Sequence, residues 1–262
     1  MSTVRAVAWT FALVLLYQGG ALLFLRVWER PLTGLMVTGP LLVLLPLLLG
    51  IRGARLPVGE TLRWRPVPAG SFLAAVVGVV AALPPVLAAA SRLLPTPDHV
   101  EEFFTRLLTA RSPEELAVVL VAAAVVPAVT EEVLFRGFLQ GALERRLGRW
   151  PAVLTAAAGF GLIHGAERAP VAFVMGILLG WTTGRTGSVL PAIAAHATVN
   201  AIAVTLVNSP GFAAGRGWPE TLPWPALLIW SLVSGAALVS LRSPRGSDRS
   251  PSPEAEPPRP PR

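Results

Sequence analysis

Long apolar runs constrain this chain of 262 residues more than any other feature of its sequence. A helix needs roughly 20 mostly apolar residues to cross a bilayer, and about eight runs reach or approach that length. Three of them, ending at Thr130, His164 and Thr183, are short, which allows tilted or broken helices there. Their approximate limits are Val7 to Leu25, Leu32 to Ile51, Ala69 to Ala90, Glu114 to Thr130, Pro151 to His164, Pro170 to Thr183, Val189 to Val207 and Pro223 to Leu241. The sequence therefore predicts an all-α polytopic membrane helix bundle of about eight transmembrane helices, with any active site inside the bundle.

Composition supports a membrane protein and restricts its chemistry. Hydrophobic residues make up 53% of the chain, charged residues only 14%, and the mean hydropathy is +0.61. Cysteine is absent, so disulfides, thiolate nucleophiles and cysteine-containing zinc sites are excluded. The net charge of +7 comes from arginines between the apolar runs and in the C-terminal tail. That pattern fits membrane lipid headgroups better than nucleic acid, which is not predicted as a partner.

The arginines also predict an orientation, because cytoplasmic loops hold the excess of positive charge. With the N-terminus inside, the outer loops carry Arg26, Arg30, Arg92, Arg106, Arg111, Arg168 and Arg216. The inner segments carry more, namely Arg5, Arg52, Arg55, Arg63, Arg65, Arg145, Arg146, Arg149, Arg185 and the arginines of the tail. We expect an integral, multi-pass protein of the cytoplasmic membrane with both termini in the cytoplasm.

Three regions follow from this reading. Residues 1–112 hold N-terminal transmembrane helices, and within them Pro97 to Arg111 is predicted as an amphipathic interfacial helix or a plain connecting helix. Residues 113–241 carry the ionisable groups described next. Residues 242–262 are rich in Pro, Arg and Ser and are predicted to be disordered.

Ionisable side chains within apolar runs are expected to have a structural or functional role, because inserting each into the bilayer costs about 2.5–3.5 kcal/mol. Asp98 and Asp248 lie outside the runs, which argues against an aspartate intramembrane protease, and the zinc-peptidase motif His-Glu-x-x-His is missing. The polar residues that remain in the runs or at their ends are Glu131, Glu132, Arg136, His164, His196 and Asn200.

The first of these residues form a cluster with two acids of different character. On a helix Glu132 meets Arg136 four residues later, in the favoured orientation for an ion pair. Glu131 points about 100° away and has no partner on its own helix, so it is a candidate base. The alternative is that both acids and Arg136 form a structural ion network.

The histidines lie on two further helices. Phe160 precedes His164 by one turn and is expected to pack against its ring, while His196 and Asn200 project from one helical face. A histidine in an apolar run is often a hydrogen-bonded core residue. Two of them on separate helices, with a carboxylate on a third, favour a catalytic site.

The motifs Glu-Glu-x-x-x-Arg, Phe-x-x-x-His and His-x-x-x-Asn, in this order between Glu114 and Val207, resemble the type II CAAX prenyl protease and bacteriocin-processing family of intramembrane proteases. The resemblance implies a helical peptidase whose cavity opens toward the cytoplasm and lipid, and which cuts peptide or protein substrates near their C-termini. It implies the following roles: Glu131 and His164 activate water, His196 and Asn200 donate to the oxyanion, and Glu132, Arg136 and Phe160 support them.

The need for a metal stays open at this stage. The family has also been described as metal-dependent, and Glu131, His164 and His196 with an open fourth position would suit Zn²⁺, with Glu132 then serving as the base. The metal-free reading is slightly favoured, because nothing in the sequence fixes a coordination geometry.

Three other functions fit parts of the sequence. A membrane scaffold or bacteriocin-immunity protein would keep the helices without cleaving. A proton-coupled transporter would suit the isolated charges but predicts inverted repeats, which are not found. A serine protease would use Ser188 but lacks the Gly-x-Ser-x-Gly setting.

Overall fold

The computed structural model describes residues 2–27, 31–94, 96–213 and 222–241. Within these ranges all regular secondary structure is helical, which confirms the all-α prediction. The predicted disordered tail 242–262 and the loop arginines Arg30 and Arg216 lie outside the described residues.

Eleven helices account for the described chain. They are α1 Thr3–Arg26, α2 Pro31–Gly53, α3 Val58–Thr61, α4 Ala69–Leu93, α5 Asp98–Leu108, α6 Pro113–Leu147, α7 Arg149–Leu162, α8 Ala169–Thr186, α9 Leu190–Val207, α10 Pro210–Ala213 and α11 Trp224–Val239. Wider π-type turns interrupt α2 at Gly39–Leu44 and α6 at Val121–Val125 and Val133–Gln140. Such turns are frequent near functional sites.

Five of these helices, α1, α2, α4, α6 and α9, are long and apolar enough to cross a membrane, and α11 is a shorter apolar helix. The protein is therefore a multi-pass membrane protein. Each of the eight predicted runs falls on a helix, but α7, α8 and α11 are not among the five, so the count of eight transmembrane helices stays a prediction.

Helix α6 is longer than the sequence suggested. The apolar run ends at Thr130, yet the helix continues to Leu147. Every residue from Thr130 to Leu143 is buried, and Glu132 and Arg136 neutralise each other within the helix. Because these charges are paired inside the bundle, they do not end the helix.

Contacts between loops and helix termini define two ends of the bundle. At what we call the arginine end, Arg63 pairs with Glu144 at 2.5 Å and Arg185 donates to the carbonyl oxygen of Leu241 at 2.6 Å. At the opposite end, Asn208 donates to the carbonyl oxygen of Leu108 at 2.8 Å. Arg168 also lies over the Phe104 ring there, 3.4 Å from its centroid, so α5 is held against the start of α8.

Gly137 allows the buried part of α6 to pack closely against the backbone at Leu62. A Cβ at this position would lie 2.7 Å from the carbonyl oxygen of Leu62, an atom that cannot swing away. We expect Gly137→Ala to lower the free energy of unfolding by about 1–3 kcal/mol through overpacking. The matched control is Gly19→Ala in α1, where a Cβ meets nothing within 4 Å. Thermal denaturation of both variants in detergent checks this, and equal midpoints would contradict the close approach.

Candidate active site

Glu131 and His164 lie close to each other in the structure. Glu131 lies in α6, and His164 lies two residues beyond the end of α7. The His164 Nε2 atom is 3.8 Å from Glu131 Oε2. This separation is too long for a direct hydrogen bond and leaves a position for a bridging water. The His164 side chain is 28% exposed, whereas the Glu131 side chain is 8% exposed and its Oε2 atom is buried.

A hydrogen bond at the other ring nitrogen of His164 determines the tautomer of this residue. Its Nδ1 atom lies 2.8 Å from the backbone carbonyl oxygen of Phe160. A carbonyl oxygen only accepts, so Nδ1 carries the hydrogen. In the neutral ring the Nε2 lone pair is therefore directed toward Glu131, and it can accept a proton from a water in the gap.

Helix α1 contributes two contacts that the sequence analysis missed. The Tyr17 hydroxyl donates to Glu131 Oε1 at 3.4 Å. The Gln18 amide donates to the carbonyl oxygen of Ile163 at 2.8 Å and so holds the segment next to His164. A signal was present, because Tyr17 is the only tyrosine in the chain and sits beside Gln18 within an otherwise apolar run.

Glu132 joins α6 to α9. One of its oxygens, Oε1, accepts from Arg136 Nη1 at 3.0 Å, as the spacing of four residues predicts. The same oxygen lies 2.9 Å from Nδ1 of His196. Glu132 and Arg136 are fully buried, and His196 is nearly so. Since Nδ1 faces the carboxylate, the Nε2 atom of His196 is the one left for a ligand.

Phe160 lies against both histidines. The centroid of its ring is 4.5 Å from that of His164 and 5.6 Å from that of His196. The guanidinium carbon of Arg136 lies 4.1 Å from the Phe160 centroid, a cation–π arrangement. The expected packing of Phe160 on His164 is therefore present, and the same ring also orders His196.

Asn200 lies one turn after His196 on α9 and is partly buried. Its Nδ2 atom donates to the carbonyl oxygen of Ala123 in α6 at 3.3 Å. The amide is therefore on the α6 side of α9, where the carboxylates lie. The structure thus places His196 and Asn200 along one face of one helix.

A comparison with protein families shows what this chain is similar to. Residues 113–202 match the model of the family described as type II CAAX prenyl endopeptidase, Rce1-like. This part of the chain, about a third of its length, is similar to that family. The match contains all three motifs and confirms the resemblance that they indicated. No curated protein and no solved structure matches the chain.

Two hydrogen bonds join α6 to α8 within the Rce1-like segment. Arg136 Nη2 donates to the carbonyl oxygen of Gly176 at 3.3 Å, and Gln140 Nε2 donates to that of Gly180 at 2.9 Å. A Cβ on Gly180 would lie 2.9 Å from Gln140 Oε1, so glycine permits the close approach. Gln140 was not predicted. The glycines spaced by four residues in α8 were the available signal for a close helix contact.

Three buried polar atoms of the site have no hydrogen-bond partner within the described protein. They are Glu131 Oε2, Glu132 Oε2 and Arg136 Nε. Buried polar groups are nearly always satisfied, so each of these atoms could bond to a water, as could similar unpaired atoms of Thr130, Gln140, Thr182 and Thr183. For Glu131 the unpaired oxygen is the one that faces His164.

The donors do not fit a metal. Within residues 2–27, 31–94, 96–213 and 222–241 no three His, Asp or Glu side chains lie close enough to hold one. Nδ1 of His196 bonds to Glu132 and Nδ1 of His164 to Phe160, which leaves both Nε2 atoms free, but these atoms are not gathered with a carboxylate into one such group. The set Glu131, His164 and His196 therefore does not form a coordination sphere, and no catalytic step is derived through zinc.

Ser188 has a structural task. Its hydroxyl donates to the carbonyl oxygen of Arg65 at 2.6 Å and accepts from the backbone N–H of Leu190 at 3.2 Å. Both contacts lie at the arginine end, at the start of α9. The hydroxyl joins the loop after α3 to α9 and does not support a serine nucleophile.

Proposed function

We propose that the protein hydrolyses peptide bonds of membrane-associated substrates with a water activated by Glu131 and His164. The observation that carries this proposal is the 3.8 Å separation of Glu131 Oε2 and His164 Nε2, together with the unpaired state of that carboxylate oxygen. A water in this gap has an acceptor on each side. Such a base within hydrogen-bond reach is what general-base hydrolysis requires.

The reaction needs one water and no other reactant. The water loses a proton to the Glu131–His164 pair, and its oxygen attacks the carbonyl carbon of the scissile bond. The C–N bond then breaks, and the proton returns to the leaving amine. Tyr17, which donates to Glu131 Oε1, keeps the other oxygen of the carboxylate directed at His164.

His196 and Asn200 are the proposed donors to the oxyanion. An Nε2–H on His196 requires the imidazolium, with the Nδ1 hydrogen directed at Glu132 Oε1. Arg136 balances the charge of Glu132 from the other side. Donors fixed in a site with little water stabilise the developing negative oxygen strongly, and this contribution is often the largest in acyl transfer.

The substrate is proposed to be a peptide or protein held in the lipid bilayer and cut near its C-terminus. This part rests on the Rce1-like match of residues 113–202. The same proposal places the protein in the cytoplasmic membrane, with both termini in the cytoplasm.

A comparison of cells tests the proposal. Cells that carry the intact chain are expected to contain new C-terminal peptides of membrane proteins that are lost with Glu131→Ala. Mass spectrometry of C-terminal peptides from isolated membranes, at matched protein levels, provides the measurement. Identical peptide sets would favour the alternative, a non-catalytic membrane scaffold or bacteriocin-immunity protein.

A further inference from the structure

The start of α7 and the end of α8 meet at a corner of the bundle that carries both positive charge and exposed aromatic surface. We infer that this corner, which we call the tryptophan corner, binds one anionic phospholipid. Arg146 and Arg149 hold the phosphate of the lipid, and an acyl chain lies along Trp150. This binding goes beyond peptide hydrolysis, and none of these residues takes part in the proposed reaction.

Two tryptophans stack at the tryptophan corner. Trp150 is the second residue of α7, and Trp181 lies within the last two turns of α8. Their ring centroids are 5.0 Å apart and the angle between the ring planes is 19°, so the indoles lie face to face. Trp150 is 53% exposed. Tryptophan concentrates at the boundary between bilayer and water, because its ring is apolar and its N–H is polar. The pair therefore marks the depth of the lipid headgroups at this corner.

Three arginines beside the stack have no counter-charge. Arg145 and Arg146 lie in the last turn of α6, Arg149 begins α7, and all three are exposed. None of them forms an ion pair with another residue that the structure describes. The neighbouring acid, Glu144, is already paired with Arg63 at 2.5 Å. The corner therefore presents uncompensated positive charge next to an aromatic surface.

Two glycines bring these groups together. Gly148 is the single residue between α6 and α7, and its φ of +78° is one that favours glycine. This turn places the last turn of α6 beside the first turn of α7. Gly184 in α8 then leaves room for the Arg149 side chain, because a Cβ there would lie 3.3 Å from Arg149 Cδ and 3.5 Å from its Nε. The Arg149 side chain therefore crosses onto α8, one turn from Trp181.

Arg185 supports the stack from α8. Its Nε and Nη2 atoms donate to the carbonyl oxygen of Leu241 at 3.2 and 2.6 Å. Its guanidinium carbon lies 5.5 Å from the centroid of the Trp181 ring. Arg185 is thus committed to the protein, which leaves the arginines around Gly148 to meet a ligand.

An apolar stripe leads away from these arginines along α7. Trp150 and Leu154 are four residues apart and share one helical face, and Leu154 is 44% exposed. Leu147, the last residue of α6, is 47% exposed. Positive charge at one end of an exposed apolar stripe matches an anionic head joined to an apolar tail.

The chemistry of arginine identifies the head as a phosphate. Guanidinium groups bind phosphate oxygens through paired N–H bonds, and they do so in sites that are only partly hydrated. A free phosphate ion would use the arginines but would leave the apolar stripe uncovered. A phospholipid with a net negative charge covers both parts of the corner.

Native mass spectrometry of the full chain in detergent tests the site. The protein is titrated with dioleoyl phosphatidylglycerol, which is anionic, and with dioleoyl phosphatidylcholine, which has the same chains and no net charge. We expect the first phosphatidylglycerol to bind more tightly than phosphatidylcholine, and excess inorganic phosphate not to displace it. The double variant Arg146→Gln with Arg149→Gln should weaken phosphatidylglycerol binding by about tenfold or more, because two phosphate-binding charges are lost.

The matched control is the double variant Arg52→Gln with Arg55→Gln. Both arginines are exposed, and neither forms an ion pair with a described residue. The control removes the same net charge at a distance in the chain from the stacked tryptophans. We expect it to change the affinity for phosphatidylglycerol by less than about twofold, since general attraction to charge is weak compared with a bound phosphate.

Three results would overturn the inference. Equal losses of affinity in the two double variants would show general charge attraction instead of a site. Equal binding of the two lipids would remove the anionic headgroup, and displacement by inorganic phosphate would assign the arginines to a free ion. If Arg149→Gln lowers the melting midpoint so far that the protein is not folded, Arg145→Gln with Arg146→Gln replaces it, because both side chains are exposed. None of these readouts uses hydrolysis, so failure of the proposed activity remains a separate result.

Discussion

Replacing Glu131 with glutamine is expected to lower kcat by about two to four orders of magnitude, the usual contribution of a general base. The amide keeps the shape of the side chain but cannot take a proton from the water in the gap to His164. Tyr17 can still donate to the amide oxygen, so the fold should be preserved.

The matched control for this prediction is Glu114→Gln. Glu114 lies in the first turn of the same helix, is exposed, and is distant in the chain from the site. We expect its kcat to equal that of the unmodified protein. The measurement is the initial rate of peptide release by purified protein in lipid nanodiscs at saturating substrate. Equal rates for Glu131→Gln and Glu114→Gln would remove Glu131 from the mechanism.

Arg136→Leu is expected to cost about 3–5 kcal/mol of unfolding free energy, because it leaves a buried carboxylate without its cation. Arg136 is fully buried, pairs with Glu132 at 3.0 Å and packs on Phe160. Loss of the pair should also release His196, so the remaining folded protein should have lost activity. Denaturant titration of the purified protein in detergent gives the stability change.

An exposed pair with the same spacing is the control. Arg106 pairs with Glu102 at 2.7 Å in α5, but their side chains are 79% and 63% exposed. We expect Arg106→Leu to change the unfolding free energy by less than about 1 kcal/mol. The double variant Glu132→Leu with Arg136→Leu should be more stable than Arg136→Leu alone. If Arg136→Leu is as stable as Arg106→Leu, the buried pair is not a support of the site.

The elements and the ion pair were accessible from sequence because they depend on local spacing. Apolar runs gave the helices, and four residues between Glu132 and Arg136 gave their bond. The different directions of the Glu131 and Glu132 side chains also followed from helix geometry. In the structure these two adjacent acids face different partners, His164 and His196.

The long-range contacts of the site were not accessible. No local sequence pattern indicates that Tyr17, which lies 114 residues before Glu131, approaches its carboxylate. The bond between Glu132 and His196 joins residues 64 apart in the chain and depends on how α6 and α9 pack. Local sequence fixes helices and faces, whereas the partners of a face follow from tertiary packing.

The extension of α6 to Leu147 has the same origin. A hydropathy pattern stops at Thr130, because it treats each charge as exposed to lipid. The bundle supplies the partners of Glu132, Arg136 and Gln140, so these side chains cost far less than the pattern assumes.

In the proposed mechanism one water between Glu131 and His164 attacks the peptide bond. Hydrolysis in H₂¹⁸O by the purified protein in nanodiscs, with mass spectrometry of the new C-terminus, measures where the oxygen of that water goes. We expect one ¹⁸O in the product carboxylate with the intact protein, and no product above background with the double variant Glu131→Gln and His164→Ala. Product formation by a folded double variant at the rate of the intact protein would contradict it.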